Sequence, residues 1–306
     1  MSIATGALSR ALRQISGVPV TAYQPDGEIN LALSGQIARR MAEAGVRNVI
    51  AAGNTGEFFS LTMDEIRRLT AHTIVAVGKS AVVTAAVGRS LKEAKSLADA
   101  AAEDGAGAVM SHYPADPFAG PSQKIDYFLR LADHAKVPLV AYLRSDEAPV
   151  ADLVRLAEHD NVIAVKFAAA NLLLLGDAIR ATKHCDTIWV CGLAEGWAPS
   201  FYSMGAQGFT SGLVNVFPEI SLAIHAALEA GDYARARSEI DRIVEFEKLR
   251  TLFKNGANVT VVKEALAFAG TPVGEVRLPG VPRLPEAEHR KLGEIVKSLT
   301  PEVSAM

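Results

Sequence analysis

The stretch Asn161–Asn171, NVIAVKFAAAN, decides the fold. It reads as a strand running into a loop, apolar or neutral throughout except for Lys166. An apolar run without alternation marks a strand covered on both faces, as in a parallel sheet. Similar short runs recur at 18–23 (VPVTAY), 46–52, 81–87, 107–113, 137–143, 187–193 and 208–214, so that 161–167 is the sixth of eight expected strands. Helical periodicity fills the intervals at 31–44, 63–77, 91–103, 121–135, 151–158, 172–183 and 196–204. Thr62 and Glu65, in TMDE, have the spacing of a capping box and date the start of one of these helices.

Strict alternation of strand and helix argues for an α/β protein with a parallel sheet. Eight such units argue for a closed (β/α)8 TIM barrel, with an open doubly wound sheet as the alternative. After the eighth strand the pattern is helical at 223–230, 232–252, 259–269 and 286–298, interrupted by the Pro-rich LPGVPRLP at 278–285. The expected organisation is a barrel over residues 1–225 and a helical C-terminal extension over 226–306 packed on it.

The remaining signals bound function mainly by exclusion. The net charge of −3 in 306 residues offers no basic footprint for nucleic acid. Cys185 and Cys191 make no CxxC, the seven histidines are dispersed, and there is no HExxH, so neither a disulfide scaffold nor a metal site is expected. GxGxxG, GxxxxGK[ST] and GxSxG are also missing, so the chain signals no dinucleotide, P-loop or serine-elbow chemistry. The N-terminus lacks the apolar core of a signal peptide. No apolar run reaches the roughly 18 residues that would span a bilayer. The expectation is a cytoplasmic protein without a membrane or nucleic-acid partner.

Barrel enzymes build their sites at the C-terminal ends of the strands, so polar residues there carry the functional reading. Lys166 is near the end of the sixth strand. Burial disfavours the ammonium and can leave a neutral amine at pH 7, which attacks carbonyls to form a Schiff base. The alternative is a lysine that snorkels to the rim or pairs with a carboxylate. Tyr142, near the end of the fifth strand, offers a phenol that both donates and accepts protons, or else simply packs. Arg144 can hold a carboxylate bidentately, though rim arginines are commonly just solvated. Gly53–Glu57, GNTGE, follows the second strand and reads as an anion-binding nest with the Thr55 hydroxyl beside it, or as a plain turn.

Together, GNTGEFFSLT, AYLR and VIAVKFAAAN resemble the dihydrodipicolinate synthase / N-acetylneuraminate lyase superfamily, and within it the 5-dehydro-4-deoxyglucarate dehydratases. VPVTAYQPDGEI, LVNVFPE, GANVTVVKEAL and VRLPGVPRL extend the likeness from about Val18 to Leu292. The resemblance implies a class I lyase that needs no cofactor and assembles as a homotetramer or dimer. It implies Lys166 as the Schiff-base lysine, condensing with the keto group of a small 2-keto acid, and Tyr142 as the proton relay. It implies that Asn54, Thr55 and Gly56 hold the substrate's 1-carboxylate and that Arg144 handles its distal end, with Ser211 and Asn215 lining the pocket. The expected reaction is dehydration of a keto-deoxy sugar acid such as 5-dehydro-4-deoxyglucarate. The alternatives are a pyruvate-releasing aldolase, a dihydrodipicolinate synthase-like enzyme, or a non-catalytic carboxylate-binding barrel.

The chain also departs from the pattern it resembles. Asn54 stands where synthases and lyases have a hydroxyl residue and the dehydratases usually have glycine. Glu147 stands where synthases place an arginine. Phe167 and Ala168 follow the lysine where the family tends to have an acidic residue.

Overall fold

The computed structural model describes residues 3–300 of the chain, so the first two and last six residues of the two expected units lie outside it. Eight parallel strands close into a TIM barrel in sequence order, with the eighth pairing back onto the first. They are β1 (Ile15–Gly17), β2 (Asn48–Ala51), β3 (Val82–Val87), β4 (Ala108–Ser111), β5 (Leu139–Leu143), β6 (Val162–Phe167), β7 (Ile188–Cys191) and β8 (Phe209–Ser211). The helices between them are α2 (Leu31–Ala44), α3 (Met63–Val77), α4 (Leu91–Asp104), α5 (Pro121–Ala132), α6 (Val150–Ala157), α7 (Leu172–Ala181) and α8 (Ala198–Met204). After β8 come α9 (Pro218–Glu229), α10 (Tyr233–Arg250), α11 (Asn258–Phe268) and α12 (Glu286–Leu299).

Local chemistry sets many of these boundaries. The expected capping box on α3 is present: Glu65 N donates to Thr62 Oγ1, and Thr62 N donates to Glu65 Oε2. Ser90 and Glu93 repeat it on α4. Asn30 and Asn171 cap α2 and α7 through their side-chain oxygens. Pro121 and Pro218 open α5 and α9, where a missing N–H costs nothing. The strands are buried on both faces almost throughout, as a covered parallel barrel requires.

The first strand differs from the expectation. VPVTAY at 18–23 has the composition of a strand, yet β1 is the short Ile15–Gly17 segment before it. Residues 18–23 leave the barrel and take their hydrogen bonds elsewhere. Val18 N donates to Ser211 O, Val20 N to Asn215 Oδ1, Ala22 N to Ser34 Oγ and Tyr23 N to Val273 O. Pro19 has no N–H to give to a ladder. A helix not expected from the sequence, α1 (Ile3–Leu12), precedes β1 and touches β1, β2, β3 and β7, so it lies across the N-terminal end of the barrel. The eighth strand is also shorter than expected and stops at Ser211, before a 3-10 turn over Leu213–Asn215.

The helices after β8 fold back against the mouth of the barrel. Lys263 on α11 forms a buried ion pair with Glu57, 2.5 Å apart, and Arg277 N donates to the other oxygen of that carboxylate. Arg250 on α10 packs closely beside Gly212. The C-terminal extension therefore fixes the loops around the strand ends as well as covering the barrel.

Candidate active site

Tyr142 and Lys166 are directly paired across β5 and β6. Side chains alternate along each strand, so both point to the same face, and Lys166 Nζ lies 3.9 Å from the centroid of the Tyr142 ring. Phe167, one residue on, points the other way and packs on Phe201 of α8. The Phe-Ala sequence after the lysine is thus part of the wall between strand and helix.

Lys166 is buried, and burial pushes its amine down to about 7, with the Arg144 guanidinium adding to the effect and Cys191 opposing it. Tyr142 is pushed up by burial, while Arg144 and a hydrogen bond from Asn54 pull the other way. That bond runs from Asn54 Nδ2 to Tyr142 Oη over 3.3 Å, so the phenol accepts from Asn54 and its own proton is free to point elsewhere. Asn54 Oδ1 is buried without a partner among the described residues.

The loop that carries Asn54 is held tightly. Residues Asn54–Gly56 form a 3-10 turn, and Glu57 after it is left-handed at φ 65°. A Cβ on Gly53 would come within 2.6 Å of Val18 Cγ1, so only glycine fits beneath the crossing segment. Thr21 Oγ1 donates to Gly56 O over 2.6 Å, and Thr55 is buried. Arg144 is exposed at the rim, yet its charge is felt by Lys166, Tyr142 and His112.

Asn54, Thr55, Gly56, Tyr142, Arg144 and Lys166 therefore gather at one end of the barrel. Ser211 and Asn215 do not present polar groups to it. The Ser211 hydroxyl donates to buried Glu195, which also accepts from Ser221, and burial and the Glu247 charge raise the Glu195 pKa while the Arg250 charge opposes them. The Asn215 amide accepts from Val20 N and donates to Val18 O and Gly212 O. Both residues are taken up in fastening the first and eighth strand ends, because a buried amide or hydroxyl satisfies nearby backbone before it can serve a ligand.

One residue at this end was not anticipated. His112 follows β4, stacks on Phe58 at 3.9 Å between ring centroids, and lies 5.8 Å from the Tyr142 ring. Burial pushes its imidazole down to about 3, the Val87 carbonyl opposing and Lys166 and Arg144 adding to the fall. No sequence motif singles it out.

A model of the family described as dihydrodipicolinate synthetase matches residues 11–299. The chain belongs to the dihydrodipicolinate synthetase family. Among its relatives is the probable 5-dehydro-4-deoxyglucarate dehydratase 1 of Streptomyces avermitilis, 31% identical over 268 residues that make up 85% of each chain. The 4-hydroxy-tetrahydrodipicolinate synthase of an Exiguobacterium strain is 30% identical over 280 residues, 89% of this chain and 93% of its own. The crystal structure of dihydrodipicolinate synthase from Oceanobacillus iheyensis superposes with a TM-score of 0.92 at 32% identity, covering 96% of this chain and 98% of that one. The dihydrodipicolinate synthetase family is a family of lyases, and its barrel architecture is the one described above. Among the described residues no cluster of His, Cys, Asp or Glu could hold a metal ion, and no helix is long and apolar enough to cross a membrane.

Proposed function

We propose that this lyase forms a Schiff base between Lys166 and a 2-keto acid and dehydrates a keto-deoxy sugar acid such as 5-dehydro-4-deoxyglucarate. The observation that carries the reading is the pairing of Tyr142 with a buried Lys166 that has no carboxylate in ion-pair contact among the described residues. An amine near 7 is substantially neutral at working pH and can attack the C2 carbonyl, while an amine at its ordinary value cannot.

The steps follow from the chemistry of the imine. The amine adds to C2, the carbinolamine loses water, and the resulting protonated imine acts as an electron sink. Removal of a C3 proton gives an enamine, which expels the C4 hydroxyl as water once that group receives a proton. Tyr142 is within reach of the amine and serves as the donor and acceptor for these transfers. The Asn54–Gly56 turn receives the 1-carboxylate, and Arg144 at the rim receives the distal one. In this substrate class water loss is followed by decarboxylation.

Dehydration is preferred over the synthase reaction because Glu147 stands where synthases place an arginine, and its carboxylate is exposed and bonded to Ser145. The test has two parts. Incubation with pyruvate and borohydride should leave a reduced adduct on Lys166, located by peptide mass. Turnover of 5-dehydro-4-deoxyglucarate should release CO2. Pyruvate release instead would make the enzyme an aldolase, and no trapped adduct with any keto acid would remove the Schiff-base reading.

A further inference from the structure

The two ring nitrogens of His112 have different fates. Nδ1 lies 3.2 Å from Val87 O, and a carbonyl only accepts, so Nδ1 carries the proton. The ring is neutral, which leaves Nε2 with a bare lone pair. Nε2 is buried and has no hydrogen-bond partner among the described residues. The ring sits among Phe58, Phe59 and Tyr142 and feels the charges of Lys166 and Arg144, so it borders the same mouth as the reactive amine.

A purely structural ring in this stack needs no second nitrogen. The Nδ1 bond and the stacking on Phe58 account for the fixed orientation, and an unpartnered acceptor only adds a desolvation cost. Asn54 Oδ1, close to Tyr142, is a second buried acceptor without a partner. What these acceptors lack is a donor, and the carboxylates and keto group of a 2-keto diacid supply none. Hydroxyl groups do.

We propose that Nε2 of His112 accepts a hydrogen bond from a substrate hydroxyl beyond C4, so that the site selects polyhydroxylated 2-keto acids over unsubstituted ones. This rests on the proposed function for the identity of the reacting end. His112 is then a specificity residue that touches substrate and does not itself move protons.

The test compares three keto acids: pyruvate, 2-oxoadipate and 5-dehydro-4-deoxyglucarate. 2-Oxoadipate keeps the chain length and both carboxylates but lacks the hydroxyls. The wild-type protein should need about tenfold more 2-oxoadipate than sugar acid for half-maximal borohydride trapping, the scale of one lost hydrogen bond. His112→Phe keeps an aromatic ring on Phe58 and should lose that discrimination through a higher KM, with pyruvate trapping unchanged. His112→Gln, which places an amide near the Nε2 position, should recover most of it. Equal half-saturation of the wild type by 2-oxoadipate and the sugar acid would overturn the proposal without any variant. So would a loss in His112→Phe that is as large for pyruvate as for the sugar acid. If the wild type traps no keto acid, the Schiff-base reading fails separately. Calorimetric binding of D-glucarate then decides for His112: weaker binding by the Phe variant supports it, while unchanged or undetectable binding overturns it.

Discussion

Among the described residues two lysines are buried, and each stands over a tyrosine ring. Lys166 Nζ is 3.9 Å from the Tyr142 centroid, and Lys263 Nζ is 4.1 Å from that of Tyr23. Burial lowers the pKa of both. The difference is the counter-ion. Lys263 has Glu57 at 2.5 Å and donates to Glu275 O at 3.1 Å, whereas the charged group acting most on Lys166 is the like-charged Arg144. Burial by itself makes a lysine costly. Burial without a carboxylate makes it reactive, because nothing then holds the proton. One lysine locks the extension to the mouth, and the other is the amine to which the proposed function assigns attack on a carbonyl.

The largest expected effect is on chemistry. Lys166→Ala should abolish the borohydride adduct and reduce turnover to background, while the far-UV spectrum and melting temperature stay the same or improve. Removing a buried amine that has no counter-ion among the described residues takes away a desolvation cost and breaks no pair. A variant that still yields the adduct would end the contrast between the two lysines.

Lys263→Met should do the reverse. It leaves the Glu57 carboxylate buried with its cation gone, which costs about 3–5 kcal/mol of stability in denaturant unfolding. Glu57→Gln with Lys263→Met should recover most of that loss, because it removes both charges. At low temperature, where Lys263→Met is folded, Lys166 should still be trapped. Loss of the adduct with stability intact would show that Lys263 acts on the chemistry directly.

Tyr142→Phe separates the ring from the phenol. The ring still packs under Nζ, but the hydroxyl that accepts from Asn54 is gone. Turnover should fall about a hundredfold or more, the usual contribution of a positioned proton donor. The adduct should still form, only more slowly.

How far the sequence carried depends on the range of the interaction. Lys166 and Tyr142 were legible because strands of known order fix which residues share a strand end, and both lie at such ends. The closed barrel was legible for the same reason. The run at 18–23 misled because β-branched residues fit any extended segment. Only the partners of Val18, Val20 and Tyr23, distant in sequence, show that this segment crosses the mouth. Ser211 and Asn215 were placed correctly along the chain, but their polar groups turn to Glu195 and to the backbone of residues 18–20. His112 could not be singled out, because an unpartnered nitrogen is a property of its surroundings. The role of Glu57 was hidden likewise, since Lys263 lies two hundred residues away.

The smallest effect sharpens the comparison most, since it reads the proton on Lys166 directly. The amine sits at about 7 in the folded chain and near the ordinary lysine value of 10.5 when unfolded. Between these values the unfolded state holds a proton that the folded state has released. Stability must therefore rise with pH across that window, by up to about 1.4 kcal/mol per unit. Below 7 both states are protonated and the contribution is flat. Other groups titrate in the alkaline range, so the measured quantity is the unfolding free energy of wild type minus that of Lys166→Met, followed from pH 6 to 9. It should be level up to about 7 and then climb. The rate of imine formation should instead rise through about 7 and level off roughly one unit above it, where the stability difference is climbing, as the neutral amine becomes the dominant form. A stability difference that stayed flat to pH 9 would return Lys166 to the ordinary range of a lysine, and burial without a carboxylate would no longer support the reactivity proposed for it.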